Sequence, residues 1–505
     1  MTDSLRHYHA SESPTGPTPG LVHYRQTLLG RLDERLLCTP AVRIVLAVLL
    51  GVILVVPSIQ FVHRIEQIDT SPYRESGQRR RTALGRWLPT AAVLADDDNS
   101  ANPYGFGHWF PTPPFVLTTL VPFTQMGYTA AGIVWAALKV IGFLAAMLLL
   151  IREFGVRDRG SGSARATLHE PRVTLHEPRF TSYANGFAIP VGVMLMTGIF
   201  ALRPIVSDIQ HGNLNTFMMI WLALAWVLYM RQRDFCAGLL IGLAIVTKIT
   251  PALVLVYFLY KRSWRVCLGA GVGLVLFFII LPSLYLGLGR NIEYLTSWHE
   301  MLVRPVVWDG YVTFEIANQS LHGVFIRLLS NAGILSIEMM PANEALQAGM
   351  EEMARAATPL GSLLRPATTL VVIGVLAWLC RLRCSSRRDP RLLLEFGLVL
   401  LAMLLLSERT WKHHGTALPI VYLGVWVVLT CYPWSNRFRK WFVAGLVVQL
   451  ILLLGTSEGL LGERLSELML DGGVYCWGLV LCFLQTAVLL KCREFTTEHA
   501  EIAES

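Results

Sequence analysis

SERTWKHHG, residues 407–415, gathers Glu408, Arg409, Lys412, His413 and His414 between two nearly apolar runs, LLLEFGLVLLAMLLL and TALPIVYLGVWVVLT. Ionisable side chains at membrane depth are costly, and those that persist usually serve a site. Arg409 and Lys412 bring fixed positive charge, while imidazoles donate hydrogen bonds and gain charge as pH falls towards neutrality. A further lone cation, Lys248, stands in TKITP at 247–251, where Pro251 lacks an N–H and disfavours helix in the residue before it. Together these groups suit an anion. A lipid phosphate fits best, because its head can enter a cationic pocket while its tail stays in the bilayer. Neighbouring residues on a helix point about 100° apart, so one of the two histidines would face the phosphate and the other orient it. The plainer alternatives are a snorkelling Lys248 and a histidine pair satisfied by headgroups. Glu408 can hold Arg409 or Lys412 in place.

Two more polar stretches interrupt the apolar chain. SDIQHGNLNTF (207–217) holds Asp208, Gly212, Asn213 and Asn215, and VTFEIANQSLHG (312–323) holds Asn318 and Gln319. Amide side chains suit sugar hydroxyls or a phosphate oxygen, and glycine lets a ligand approach closely. The same residues also make turns and helix caps, so both readings stand.

The elements that must position these groups follow from composition. The chain has 505 residues, 53% hydrophobic and 15% charged, with a mean hydropathy of +0.49. A soluble protein of this length would expose too much apolar surface, and repeated apolar runs of about 17–25 residues can each cross about 30 Å of hydrocarbon. The reading is an all-α polytopic membrane protein. Its net charge of +8 lies mainly in clusters beside the segment ends, which marks sidedness rather than nucleic-acid binding. The nine cysteines show no zinc-type spacing, and there is no Rossmann glycine pattern or P-loop. No metal or cofactor is expected.

Arg25, Arg31, Arg35 and Arg43 place a polar tail, 1–40, in the cytoplasm, followed by a retained anchor near Val42–Val62. Basic clusters at Arg152–Arg179, 231–233, 261–265, 381–391 and 437–440 all reach that side only if two segments turn back. One is TPPFVLTTLVPF (112–123), dipping in from outside. The other is 236–260, a hairpin from inside broken at Lys248–Pro251; were it one plain span, the sidedness of all that follows would invert. About ten full spans remain, with both termini cytoplasmic. The membrane core covers 41–432, with outer loops 63–112 and 288–360 and a cytoplasmic linker 153–185. Further spans occupy 433–491 and a polar tail 492–505. TLHEPRVTLHEPR (167–179) repeats twice, too few for a solenoid, and reads as linker. One feature conflicts with this sidedness: the first outer loop carries Arg64, Arg74, Arg79, Arg80, Arg81 and Arg86.

Five stretches, in order, resemble the GT-C membrane glycosyltransferases of glycosyltransferase family 87, the mannosyltransferase-like group. They are NPYGFGHWFPTPPFVLTTLVPF, HGNLNTFMMIWLALAWVL, AGLLIGLAIVTKITPALVLVYFLYKRSWR, NQSLHGVFIRLL and SERTWKHHGTALPIV. The likeness spans roughly residues 40 to 430. It implies a GT-C-type bundle and a polyprenyl-phosphate sugar donor, carrying mannose or a pentofuranose. It also implies inverting transfer to a lipid or glycan acceptor on the outer face of a bacterial cytoplasmic membrane, without nucleotide or obligatory metal. Inversion needs a carboxylate to take the acceptor's proton and positive donors for the leaving phosphate. The resemblance puts that base in the first outer loop, where Asp69 is the choice; Asp208 and the run Asp96–Asp98 are the alternatives. The aromatic-flanked Asp pattern of the family is blurred here. Lys248, Arg409, Lys412, His413 and His414 would bind the donor phosphate. Gly212, Asn213 and Asn215, which stand where the family more often has Gly-Gln-x-Asn, would contact substrate with Asn318 and Gln319. A transporter or lipid flippase is the competing class, but the paired halves typical of transporters are missing.

Overall fold

The computed structural model describes residues 27–37, 39–70, 82–95, 102–104, 110–154, 190–341, 352–382, 387, 389–432 and 434–504. Most of the N-terminal tail, the TLHEPR repeat, Asp96–Asp98 and the side chain of Asp69 lie outside the described residues.

The principal helices are α1 (Pro40–Thr70), α2 (Ala83–Ala95), α3 (Pro114–Thr124), α4 (Tyr128–Phe154), α5 (Val191–His211), α6 (Asn215–Met230), α7 (Asp234–Thr247) and α8 (Ala252–Tyr260). They continue with α9 (Trp264–Val275), α10 (Leu288–Trp298), α11 (Leu321–Asn331), α12 (Leu364–Leu379), α13 (Pro390–Leu406), α14 (Leu418–Cys431), α15 (Asn436–Leu454), α16 (Glu463–Asp471) and α17 (Val474–Glu504). Among the described residues seven helices are long and apolar enough to cross a membrane. The sequence reading of about ten full spans also counts shorter apolar helices such as Asn215–Met230. The last helix runs on through residues expected as a polar tail.

Position in the bundle explains composition. Lys412–Thr430 is buried along its whole length and α13 along most of its own, so both are apolar on every side. Pro40–Gln67 is more apolar still but mostly uncovered by protein, as a lipid-facing helix would be.

The chain does break at Lys248–Pro251. Lys248 is extended (φ −159°, ψ 131°) after α7, and α8 starts at Ala252. Both outer ends of this pair meet the same segment. Arg387 donates to the Tyr229 carbonyl ahead of α7 (2.9 Å) and pairs with Asp234, the first residue of that helix. After α8, Lys261 donates to the Leu382 carbonyl (2.7 Å) and pairs with Glu395 (2.8 Å). The pair therefore goes in and comes back, and α9 then runs alongside α7 in the same direction: Gly238 faces Val266–Ala270 and Gly242 faces Ala270–Gly273.

That contact depends on glycine. A Cβ on Gly238 would lie 2.1 Å from the Val266 carbonyl oxygen, and one on Gly269 would lie 2.1 Å from that of Phe235. Neither backbone can yield without parting the helices. Gly238→Ala should lower the melting temperature of the detergent-solubilised protein by several degrees, from a destabilisation of about 1–3 kcal/mol. Gly271→Ala, on the same helix as Gly269 but with no heavy atom within 4 Å of its added Cβ, should not lower it.

The described residues are mostly helical, in keeping with the all-α polytopic reading, and the second long loop adds three short strands. Val312–Thr313 (β1), Ile337–Met339 (β2) and Met353–Ala356 (β3) form a small antiparallel sheet in the order β1-β3-β2, with Val312 opposite Ala354 and Met339 opposite the same residue. It holds Thr313 close to the 408–410 turn.

Candidate functional site

A cavity of about 330 Å³ opens where α2, the α5–α6 turn, the α7–α8 break, the 298–307 segment, α12 and the 407–414 turn converge. Four cations line it: Arg86, Lys248, Arg365 and Arg409. Among the described residues Glu408 is the only carboxylate on its wall, so the lining carries a net positive charge. Trp87, Trp298 and Trp411 add aromatic faces, and Ile249, Val306, Val307 and Leu406 add an apolar side. A phosphate bearing a long apolar chain is complementary to such a lining.

The break supplies Lys248. Its ammonium donates to Asn215 Oδ1 at 2.9 Å. The 407–411 turn supplies Arg409, whose Nε donates to Thr313 Oγ1 (2.9 Å) and whose guanidinium lies 5.3 Å from the Trp411 ring centre. Glu408 Oε2 accepts from Thr313 Oγ1 (3.2 Å) and lies 3.9 Å from Arg409 Nε. Arg365, on α12, donates to the Val306 carbonyl and so fastens that helix to the far wall.

Of the histidine pair, His414 lines the cavity and faces the turn backbone through Nδ1, 3.1 Å from the Arg409 carbonyl. His413 is buried behind it, stacked on His211 with ring centres 4.7 Å apart and with Nε2 3.2 Å from Asn213 Nδ2. Asn213 itself reaches the cavity.

Several residues expected to touch substrate stand elsewhere. Lys412 is off the wall: its ammonium bonds the Thr456 carbonyl and lines a separate recess with Arg203 and Tyr475, too small for a phosphate at about 10 Å³. Asn318 and Gln319 are fully buried and serve the backbone. Asn318 Nδ2 donates to the carbonyls of Thr313 (2.7 Å) and Glu408 (2.9 Å), while its Oδ1 accepts from the N–H of Thr410 (2.9 Å) and Ser320 (3.0 Å). Gln319 Nε2 donates to the Leu470 carbonyl (2.7 Å), tying the turn to the C-terminal helices. Both therefore hold the wall in shape instead of contacting a ligand. Gly212 caps α5 at φ +65°, and its ideal Cβ would lie 2.3 Å from the Phe61 ring. It is a turn residue against α1.

Asp208 is locked in place. Its carboxylate pairs with Lys139 (2.7 Å), both side chains being wholly buried, and accepts from Asn215 Nδ2 (2.9 Å), Thr216 N–H (3.1 Å) and Thr216 Oγ1 (2.6 Å). It thus caps α6 from the helix before it. An acceptor hydroxyl has no route to it.

Arg86 and Arg365 line the cavity without being marked as site residues by the sequence. Arg86 was counted only as a positive charge at odds with an outer loop, and its place on the cavity wall gives that charge a use. Arg365 stands alone at the head of an apolar helix, where nothing in its spacing marks it.

His322, on α11, lies 2.8 Å from Thr368 Oγ1, and burial together with Arg365 pushes its pKa down from 6.5 to about 4. The folded protein thus refuses a proton that the unfolded chain accepts. Stability should be complete above pH 6.5 and decline as pH falls towards 4. His322→Gln should flatten that part of a melting-temperature-against-pH curve.

No solved structure matches the chain. A polyprenol-phosphate-mannose-dependent alpha-(1-2)-phosphatidylinositol mannoside mannosyltransferase of Mycolicibacterium smegmatis is 24% identical over 448 residues, 87% of each protein. The model of glycosyltransferase family 87 matches residues 110–408, more than half of the chain and most of the elements that build the cavity. This chain belongs to glycosyltransferase family 87.

Proposed function

We propose that the protein moves a mannosyl group from a polyprenyl phosphate to a lipid or glycan hydroxyl at the outer face of the membrane, with inversion. The observation that carries this reading is the cationic cavity itself, with Lys248, Arg409, Arg86 and Arg365 around a space bordered by apolar side chains. The relative's dependence on polyprenol-phosphate-mannose supports the donor.

In this reaction the acceptor oxygen attacks the anomeric carbon from the face opposite the phosphate. The carbon–oxygen bond to phosphate breaks, and its electron pair leaves on the phosphate. Cations placed around that group stabilise the charge as it grows. The acceptor's proton goes to a carboxylate, for which we assign Asp69. The helix α1 passes the α5–α6 turn, with Gln60 in reach of Gln210 Nε2 (2.7 Å) and Phe61 against Gly212. Asp69 is in the last turn of α1, about 12 Å further along the axis. That rise carries it past the turn bearing Asn213.

Proteoliposomes given polyprenyl-phosphate mannose and a mixed glycolipid acceptor provide the test. Wild type should consume donor and release polyprenyl phosphate. Asp69→Ala should lose about 10²–10⁴-fold in rate, the range for removing a positioned acid or base, and His413→Ala/His414→Ala should also be impaired. Movement of solute or lipid without a glycosidic product would refute the reading in favour of a transporter.

A further inference from the structure

Behind Lys248 runs a line of buried polar side chains that reaches no ligand. Lys139 Nζ pairs with Asp208 Oδ2 at 2.7 Å, Asp208 Oδ1 accepts from Asn215 Nδ2 at 2.9 Å, and Asn215 Oδ1 accepts from Lys248 Nζ at 2.9 Å. Lys139, Asp208 and Asn215 are each 0–1% exposed. Only Lys248, at the end of the line, opens on the cavity.

We infer that Asp208 and Asn215 are positioning residues that set the ammonium of Lys248 for the leaving phosphate. This rests on the phosphate reading of the cavity. A primary amide has one accepting and one donating end, and the two are close in shape. Asp208, an acceptor only, selects the NH₂ end of Asn215. The carbonyl end is thereby turned to Lys248, where it takes one of three N–H donors and leaves the others for a ligand. The Thr216 N–H and hydroxyl fix the carboxylate, and Thr416 Oγ1 fixes the backbone of Asn215 by donating to its carbonyl at 2.9 Å.

The energetics argue against a purely stabilising purpose. Burying an ion pair costs desolvation that its attraction only partly recovers, and apolar side chains of like volume generally serve a core as well or better. A lysine stem is flexible, and a free ammonium explores many rotamers. Holding it before the donor arrives removes that ordering cost from binding and from the transition state. Asn215, expected from sequence to touch substrate, acts one residue removed from it.

The test is a double-mutant cycle on binding of a short-chain polyprenyl phosphate to the full-length protein in nanodiscs, with melting temperatures recorded alongside. Lys248→Ala should weaken binding at least tenfold. Asn215→Leu should weaken it about tenfold in the wild-type background and add little in the Lys248→Ala background, because Asn215 acts only through the ammonium that Lys248→Ala removes. Asn215→Ser, whose hydroxyl is too short to join Asp208 to Lys248, should behave alike if the leucine variant folds poorly. Full additivity, or unchanged binding by folded Asn215 variants while Lys248→Ala is impaired, overturns the positioning role alone. Unchanged binding by Lys248→Ala overturns the phosphate site on which it rests.

Discussion

Lys248→Met should lower kcat/KM for sugar transfer by about 10²–10³-fold, the usual cost of removing one preorganised donor from a developing oxyanion. Methionine keeps the length and fills the site, so the helix break and the wall should survive. The charge disappears from a cavity bordered by apolar side chains, where electrostatic attraction is stronger than in bulk water. The loss should appear in kcat as well as KM, since the phosphate gains charge as the glycosidic bond breaks. Initial rates in proteoliposomes measure it. Lys412→Met should cost far less, because that ammonium is spent on the Thr456 carbonyl away from the cavity. The sequence alone gave these two lysines equal standing, so the contrast separates the structural account from the motif.

Asp208→Ala should destabilise the protein by about 3–5 kcal/mol, because it strands the charge of Lys139 in a site with no solvent. It also leaves the Thr216 hydroxyl and N–H, at the start of α6, without their acceptor. Adding Lys139→Met should recover much of the stability, since the orphaned charge goes too. Thermal unfolding of the single and double variants in detergent decides the matter. A catalytic base would behave otherwise: its removal would cut the rate and spare the melting temperature. On geometry Asp208 belongs to the first kind.

Much of this site can be read from particular residues before any coordinates. The turn SERTWKHHG does meet the cavity, through Glu408, Arg409, Trp411 and His414, and TKITP does break the chain and present Lys248 there. Both are legible because charge and proline are costly inside apolar runs, so their presence needs a local reason. Amides are another matter. Asn213, Asn215, Asn318 and Gln319 look alike in sequence, yet one lines the cavity, one steers a lysine and two bind backbone. Which role falls to each depends on partners 33 to 200 residues away, beyond the reach of any spacing rule. Arg365 was invisible for the same reason: its role comes from α12 lying across the 306–311 segment. The in-and-out course of 236–260 was deduced from charge sidedness, while the glycines that let α7 and α9 touch were passed over because their use lies wholly in that packing.

The most direct measurement is a structure of the full-length protein in nanodiscs with a polyprenyl phosphate bound. The phosphate oxygens should lie within hydrogen-bonding distance, about 2.7–3.2 Å, of Lys248 Nζ and the Arg409 guanidinium, with the prenyl chain leaving past Val306 and Val307. A phosphate found beside Lys412 and Arg203, or anywhere with the 248–409 cavity empty, would contradict the account.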